Sequence, residues 1–307
     1  MGVRFKGWGI AVPDRVVTND ELSQTLDTSD AWITERTGIR ERRIGGTTRS
    51  LGTLAGQRAL DASGLGPLDV DFLILATTTP DRLTPATAPM IANDLGMECP
   101  AMDLNAACSG FMFALRTAQG LLETGNRRVL VVGAENLSRW VDWTDRNIAV
   151  LLADGAGAVV VEFDESGTDL LSFSLGTDGS GADLLTCEHG GFIHMDGKEV
   201  FRRAVRVVVS SAEEAMKFAG VTADDLSLVI PHQANIRIIQ AACQRLGVNM
   251  ERAVVVLDRY GNTSSASIPL AYYDAAENGR VKPGEYALLT GFGGGMTWAS
   301  AVVKWSA

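Results

Sequence analysis

The stretch AMDLNAACSGFMFALRTAQGLLETGNRRVLVVGAE, residues 101–135, carries the reading of the fold. AMDLNA at one end and RRVLVVGAE at the other read as strands. Between them Phe111, Ala114, Leu115, Ala118 and Leu122 recur at helical spacing. Continuous apolar strands separated by helical periods indicate a sheet covered on both faces. The same grammar extends outward. VDFLILATTTP (70–80) reads as a strand and TAPMIANDLG (87–96) as a helix. In the second half LSLVIPHQAN (226–235) is a strand with a polar end and SASIPLAYYDAAENGRV (265–281) a helix. GEYALLTGFGGGMTWASAVVKW (284–305) is a strand, a glycine turn and another strand. The helix leading into LLETGNRRVLVVGAE matches the helix leading into AAENGRVKPGEYALLTGFG, which points to an α/β unit built twice. The polar EFDESGTD (162–169) marks a divide near Phe163 to Thr168, giving halves 1–165 and 166–307. It reads equally well as a surface loop inside one domain.

With 307 residues, 46% of them hydrophobic, the chain can bury a large core. The net charge of -10 excludes general affinity for nucleic acid or an anionic membrane. The N-terminus has no secretory pattern and no run approaches the ~18 apolar residues of a membrane span, so a cytoplasmic protein is expected. The 4 cysteines are too few and too irregular for a disulfide framework. Cys187, His189 and His194 could be misread as a metal cluster, but there is no second ligand pair, and no metal is expected. Neither GFGGGM nor DGAGAV completes the dinucleotide fingerprint.

Cys108 is the exception among the cysteines. It stands where a strand gives way to a helix, and helix N-termini favour negative charge, so a thiolate of lowered pKa is expected there. Small neighbours, Ala106, Ala107, Ser109 and Gly110, leave room for a substrate. Cys99, Cys187 and Cys243 have no such setting and read as structural. His232 lies just past an apolar strand, where α/β folds place reactive groups. Asn262 sits in the turn YGNTSSAS before a helix, and GFGGGM offers backbone N–H donors for an oxyanion. The bland alternatives for these last two are a helix cap and a tight turn.

NAACSGF, PHQAN, YGNTSSASIP and GFGGGMTW, in this order, resemble the β-ketoacyl-acyl carrier protein synthase III enzymes of the thiolase superfamily. SDAWITERTGIRERR, WTDRNIAVLLADGAGAVV and GKEVF extend the resemblance over nearly the whole chain. It implies a five-layer α-β-α-β-α fold of two duplicated halves. It also implies a decarboxylative condensation of an acyl-CoA primer with malonyl-acyl carrier protein that initiates fatty-acid synthesis. Cys108 would be the acyl acceptor, His232 and Asn262 would stabilise the enolate, and the N–H groups of Cys108 and Gly294 would form the oxyanion hole. No metal or redox cofactor is implied, and a homodimer is. The alternative within the same fold is an acyltransferase of secondary metabolism forming an ester, amide or quinolone precursor.

The resemblance assigns coenzyme A contacts to Trp32, Arg36 and Arg146, further substrate contacts to Asn235 and Phe292, and carrier-protein docking to Arg202 and Arg237. Arg202, Arg203 and Arg206 share a helix whose bland reading is a solvated face. Three departures stand out. Lys198 replaces an asparagine common in the family. LLTCEHGGFIHMDG (184–197) is shorter than its usual counterpart. Thr84 stands where acetyl-selective relatives carry a bulky aromatic, which implies a primer longer than acetyl.

Overall fold

The computed structural model describes residues 2–167 and 169–306; Thr168, at the edge of the expected divide, lies outside the described residues. A five-stranded sheet runs in the order Val3–Ala11, Asp154–Phe163, Arg128–Asn136, Phe72–Ala76, Ala101–Leu104. A four-stranded sheet runs in the order Leu170–Gly181, Gly295–Lys304, Tyr286–Gly293, Leu226–Pro231. In both, the first three strands are mutually antiparallel and the fourth lies parallel to the third. Among the described residues the second sheet has no strand matching Ala101–Leu104. A lone parallel bridge from Val229 to Ala253 stands in its place.

The strand Phe72–Ala76 shows why the chain stacks in layers. Successive side chains of a strand point to opposite faces. Leu73 and Leu75 therefore pack outward with Leu51, Ala55, Ala88 and Ile91, from the helices Thr48–Ser63 and Thr87–Leu95. Ile74 and Ala76 point inward, against Phe111, Met112 and Leu115 of the helix Gly110–Glu123. The same inner core takes in Ile268, Ala271 and Ala275 of the helix Ser267–Glu277, and Leu228, Ile230 and Leu289 of the other sheet. Beyond that sheet, Val229 and Leu288 meet Ala212 and Ile239 of the outer helices Gly197–Ala219 and Ile236–Leu246. The result is helix, sheet, paired central helices, sheet, helix.

The central helices start at the same level between the sheets, and that places the chemistry. Each is preceded by a tight turn, Ala107–Ser109 and Ser264–Ala266. Each turn opens on a non-glycine residue in the left-handed region, Ala107 at φ 49° and Ser264 at φ 48°. Such a conformation costs about 1–3 kcal/mol and persists only where the surroundings enforce it.

Ile74→Ala would empty volume between sheet and central helix, and we expect it to destabilise the protein by about 3 kcal/mol. A urea titration read as a change in midpoint checks this. A loss below about 1 kcal/mol would mean that the inner core is not close-packed there.

Candidate active site

Cys108 is held by bonds that its neighbours make. Ser109 Oγ lies 2.8 Å from both the Ala106 carbonyl and Thr297 Oγ1. Thr297 Oγ1 in turn donates to the Ala106 carbonyl at 2.9 Å. These bonds fasten the cysteine turn to the strand after the glycine turn. Gly293 must be glycine, because a Cβ there would stand 2.5 Å from the Cys108 backbone nitrogen.

Asn262 is set by the segment before the strand Asp154–Phe163. Its N–H donates to the Leu151 carbonyl and its carbonyl accepts from Ala153 N–H, both at 2.9 Å. Its Oδ1 accepts from Ser264 N–H at 2.9 Å, so the amide nitrogen is the free end. His232 follows the strand Leu226–Pro231, and its Nδ1 lies 2.6 Å from Ser267 Oγ. That hydroxyl also accepts from Gln233 N–H at 3.2 Å; with its own proton donated to Nδ1, Nε2 is the N–H end of the ring. The space a Cβ on Gly291 would fill is 3.6 Å from His232 Cβ and 3.8 Å from the Cys108 carbonyl.

Cys108, Asn262, Ser264 and Gly294 line one cavity of about 850 Å³. Leu137, Ile148, Leu151 and Leu152 form an apolar wall, with Arg82 and Arg139 also on the lining. The shortened segment folds as a hairpin, Leu185–Cys187 paired with Ile193–Met195, and supplies a further wall. This corrects the reading of Cys187, which is exposed on the hairpin and lines the cavity rather than a core. His232, 3% exposed, lies behind the cavity beside Phe292, whose ring meets it edge-on at 5.5 Å. Both border a separate void of about 10 Å³, room for a single water.

The expected thiolate is also corrected. Burial pushes the Cys108 thiol up to about 12, and Glu135 adds to the rise while Ser264 opposes it. A helix start contributes about 1 kcal/mol, less than a tenfold change in acidity, and desolvation outweighs it. Burial alone pushes His232 down to about 3, so its imidazole is neutral.

The remaining expected residues fall into groups. The Arg36 and Arg146 guanidiniums lie 4.8 and 5.0 Å from the Trp32 ring centre, a cation-π cluster. Trp32 packs with Ile148, Leu151, Ile193 and Met195, which also line the cavity, so this cluster adjoins it. Arg237 pairs with Glu35 at 3.8 Å, on the helix Asp30–Thr37 that carries Trp32 and Arg36. Asn235 caps the helix Ile236–Leu246, accepting from Arg237 N–H at 2.9 Å. Arg202 is exposed and paired with Glu199 at 2.6 Å, and Lys198 is exposed. Arg203 is drawn inward to Glu199 and Asp178, while Arg206 is exposed. Thr84 is exposed and is not among the residues lining the cavity, although Arg82 and Leu83 are. Among the described residues no group of three or more His, Cys, Asp or Glu side chains is disposed to hold a metal ion.

The comparisons agree with this geometry. Residues 102–179 match the family described as 3-oxoacyl-[acyl-carrier-protein (ACP)] synthase III, and 216–305 match its C-terminal counterpart. A Roseiflexus sp. (strain RS-1) protein named beta-ketoacyl-[acyl-carrier-protein] synthase III is 47% identical over 98% of both chains. The chain belongs to the β-ketoacyl-acyl carrier protein synthase III family. Crystal structures of 3-oxoacyl-[acyl-carrier-protein] synthase III from Aquifex aeolicus VF5 and of the Thermus thermophilus synthase III superpose with TM-scores of 0.97 and 0.95. They are 44% and 45% identical, over 99% of this chain and 100% and 99% of theirs. Membership makes the chain a condensing acyltransferase with the thiolase-like fold.

For a synthase III chain, several residues at the site were not legible from sequence. Ser267 and Ser264 lie within a serine-rich turn that does not say which hydroxyl faces which partner. Thr297 is one of many polar residues in strands. Glu135 had a usable signal, a carboxylate at the carboxyl end of an apolar strand, where α/β folds put functional groups.

The resting thiol leads to a prediction. Alkylation of Cys108 by iodoacetamide should climb from about pH 7 to about pH 9 without a plateau, because thiolate grows about tenfold per pH unit below the pKa. Mass spectrometry of the Cys108 peptide reads it, and a plateau by about pH 8 would show that the helix start wins over burial.

Proposed function

We propose that the chain condenses an acyl-CoA primer with malonyl-acyl carrier protein to give a β-ketoacyl-acyl carrier protein, coenzyme A and carbon dioxide. The observation that carries the reading is the convergence of Cys108, Asn262 and Gly294 on one cavity, with His232 brought up behind Gly291. In the first half-reaction Cys108 Sγ bonds to the acyl carbon and the carbon–sulfur bond to coenzyme A breaks. The thiol proton ends on the coenzyme A sulfur. Negative charge on the acyl oxygen is met by the N–H groups of Cys108 and Gly294, donors fixed before the charge develops.

In the second half-reaction the malonyl carboxylate leaves as carbon dioxide and its bonding electrons pass into an enolate. The Asn262 amide and His232 Nε2–H donate to that oxygen. Ser267 Oγ, 2.6 Å from Nδ1, suits this role when it donates there and leaves the ring proton on Nε2. The carbanion attacks the acyl carbon, Cys108 sulfur departs, and one proton taken up from solvent restores the thiol. Burial keeps His232 neutral, which suits a donor of this kind: a permanent cation would attract the malonyl carboxylate and resist its loss.

Trp32, Arg36 and Arg146 suit the adenine and phosphates of coenzyme A, one stacking face flanked by two guanidiniums. Arg202 and Arg237, both exposed, suit the acidic carrier protein. The chain is proposed to work as a cytoplasmic homodimer without a bound cofactor; four free thiols fit a reducing compartment. The apolar cavity wall of Leu137, Ile148, Leu151 and Leu152 favours a primer longer than acetyl.

Intact-protein mass spectrometry after mixing with acetyl-, butyryl-, octanoyl- and dodecanoyl-CoA, followed by malonyl-acyl carrier protein, tests the reading. We expect acyl mass on Cys108, greater for butyryl or longer chains than for acetyl, and its loss in the chase as a β-ketoacyl-carrier product forms. Acylation without carbon–carbon bond formation would overturn the condensation. A clear acetyl preference would overturn the longer primer.

The His232 direction adds a second expectation. Its imidazole deprotonates only at about 3, so above that pH it stays neutral, and the chase rate should lack an acid limb near the free-histidine value of about 6.5. A rate that halves near that pH in His232 protein, and not in His232→Asn, would refute it.

A further inference from the structure

Glu135 is fully buried, yet the chemistry above does not use it. It lies near the end of the strand Arg128–Asn136, and its carboxylate accepts from two separate loops. From the first loop come Thr77 Oγ1 at 3.2 Å, Thr78 N–H and Oγ1 at 3.1 and 3.0 Å, and Thr79 N–H and Oγ1 at 3.1 and 2.6 Å. From the second comes Ser265 Oγ at 2.9 Å, which also lies 2.8 Å from the Ala76 carbonyl. Every partner is neutral. The threonine loop reaches the cavity through Thr78. Ser265 follows Ser264, the left-handed residue that lines the same cavity as Cys108.

The duplication explains why a carboxylate stands there. RRVLVVGAE and GEYALLTGFG align as equivalent strands, so Glu135 occupies the place that Gly293 holds in the second sheet. The turns Ala107–Ser109 and Ser264–Ala266 are likewise equivalent, so Ser265 corresponds to Cys108. At Gly293 the strand end closes on the cysteine turn; at Glu135 the equivalent strand end closes on the serine turn. Close approach is kept there too, since a Cβ on Gly133 would stand 2.5 Å from the Ser265 carbonyl.

We infer that Glu135 is a positioning residue for acyl transfer: it clasps the Thr77–Thr79 loop to the Ser264–Ser265 turn beside Cys108. The inference rests on the condensing reading for its rate effect and on the hydrogen bonds of the carboxylate for the clasp. Charged and titratable groups on the elements around Cys108 are Glu135 from the strand, His232 from the facing sheet, Asp81, Arg82 and Arg139 along the cavity, and Cys187, Glu188 and His189 on the hairpin. The field of Glu135 acts on the thiol in the same direction as burial.

The test compares Glu135→Gln, Glu135→Asp and the unmodified chain in two assays: Cys108 alkylation by iodoacetamide against pH, which needs no substrate, and Cys108 acylation by butyryl-CoA. For Glu135→Gln we expect the alkylation profile to move down by about one pH unit, because a like charge has gone, and acylation to slow about tenfold or more, because an amide N–H₂ now faces donors. Glu135→Asp keeps the charge and should keep the wild-type profile while still slowing acylation. An unmoved profile in Glu135→Gln, or wild-type acylation in that variant, would overturn the inference. If the unmodified chain is not acylated, the condensing reading fails, while the alkylation arm still decides the role of the charge. Should Glu135→Gln fail to fold, Ser265→Ala removes the clasp from its other side. It is expected to slow acylation by about tenfold, and unchanged acylation would overturn the inference.

Discussion

Everything at this site depends on the close approach of two helix-start turns between two sheets. Ala107 and Ser264 are held in left-handed backbone by what surrounds them, not by their own preference. Ser109, Thr297 and Ala106 lock one turn. Glu135, Ser265 and the Ala76 carbonyl lock the other. Because the strain is met by bonds to two different sheets, neither turn can be understood within its own half.

The same closeness governs the electrostatics. A cysteine at a helix start should be acidic on local grounds, yet burial reverses the sign. A protonated resting thiol fits an enzyme that meets an activated thioester, for which sulfur is a good nucleophile once the substrate has excluded water. It also protects a cavity-facing sulfur from stray oxidation, which falls on thiolates. His232, neutral for the same reason, can donate one proton on Nε2 without placing a cation beside a carboxylate that must leave.

Duplication has been put to unequal use. The strand order and sense are shared, and both central turns keep their shape. One strand end is the glycine that admits the Cys108 backbone; the other is the glutamate that ties Ser265. One place is open to substrate and the other is filled with hydrogen bonds.

The sequence by itself determined the layered α/β fold, the doubling and the family. Apolar strands such as Phe72–Ala76 must be covered on both faces, and the motifs around Cys108, His232, Asn262 and Gly294 are specific in combination. Only the resemblance to the family singled out Trp32, Arg36 and Arg146, which the structure gathers into one cluster. Only the tertiary structure decided that burial raises the Cys108 thiol, that Cys187 lines the cavity on a folded-back hairpin, and that Ser267 meets His232 while Ser265 meets Glu135. Those facts depend on desolvation and on contacts across the two sheets, between residues far apart in the chain, and no periodicity within a single segment encodes either.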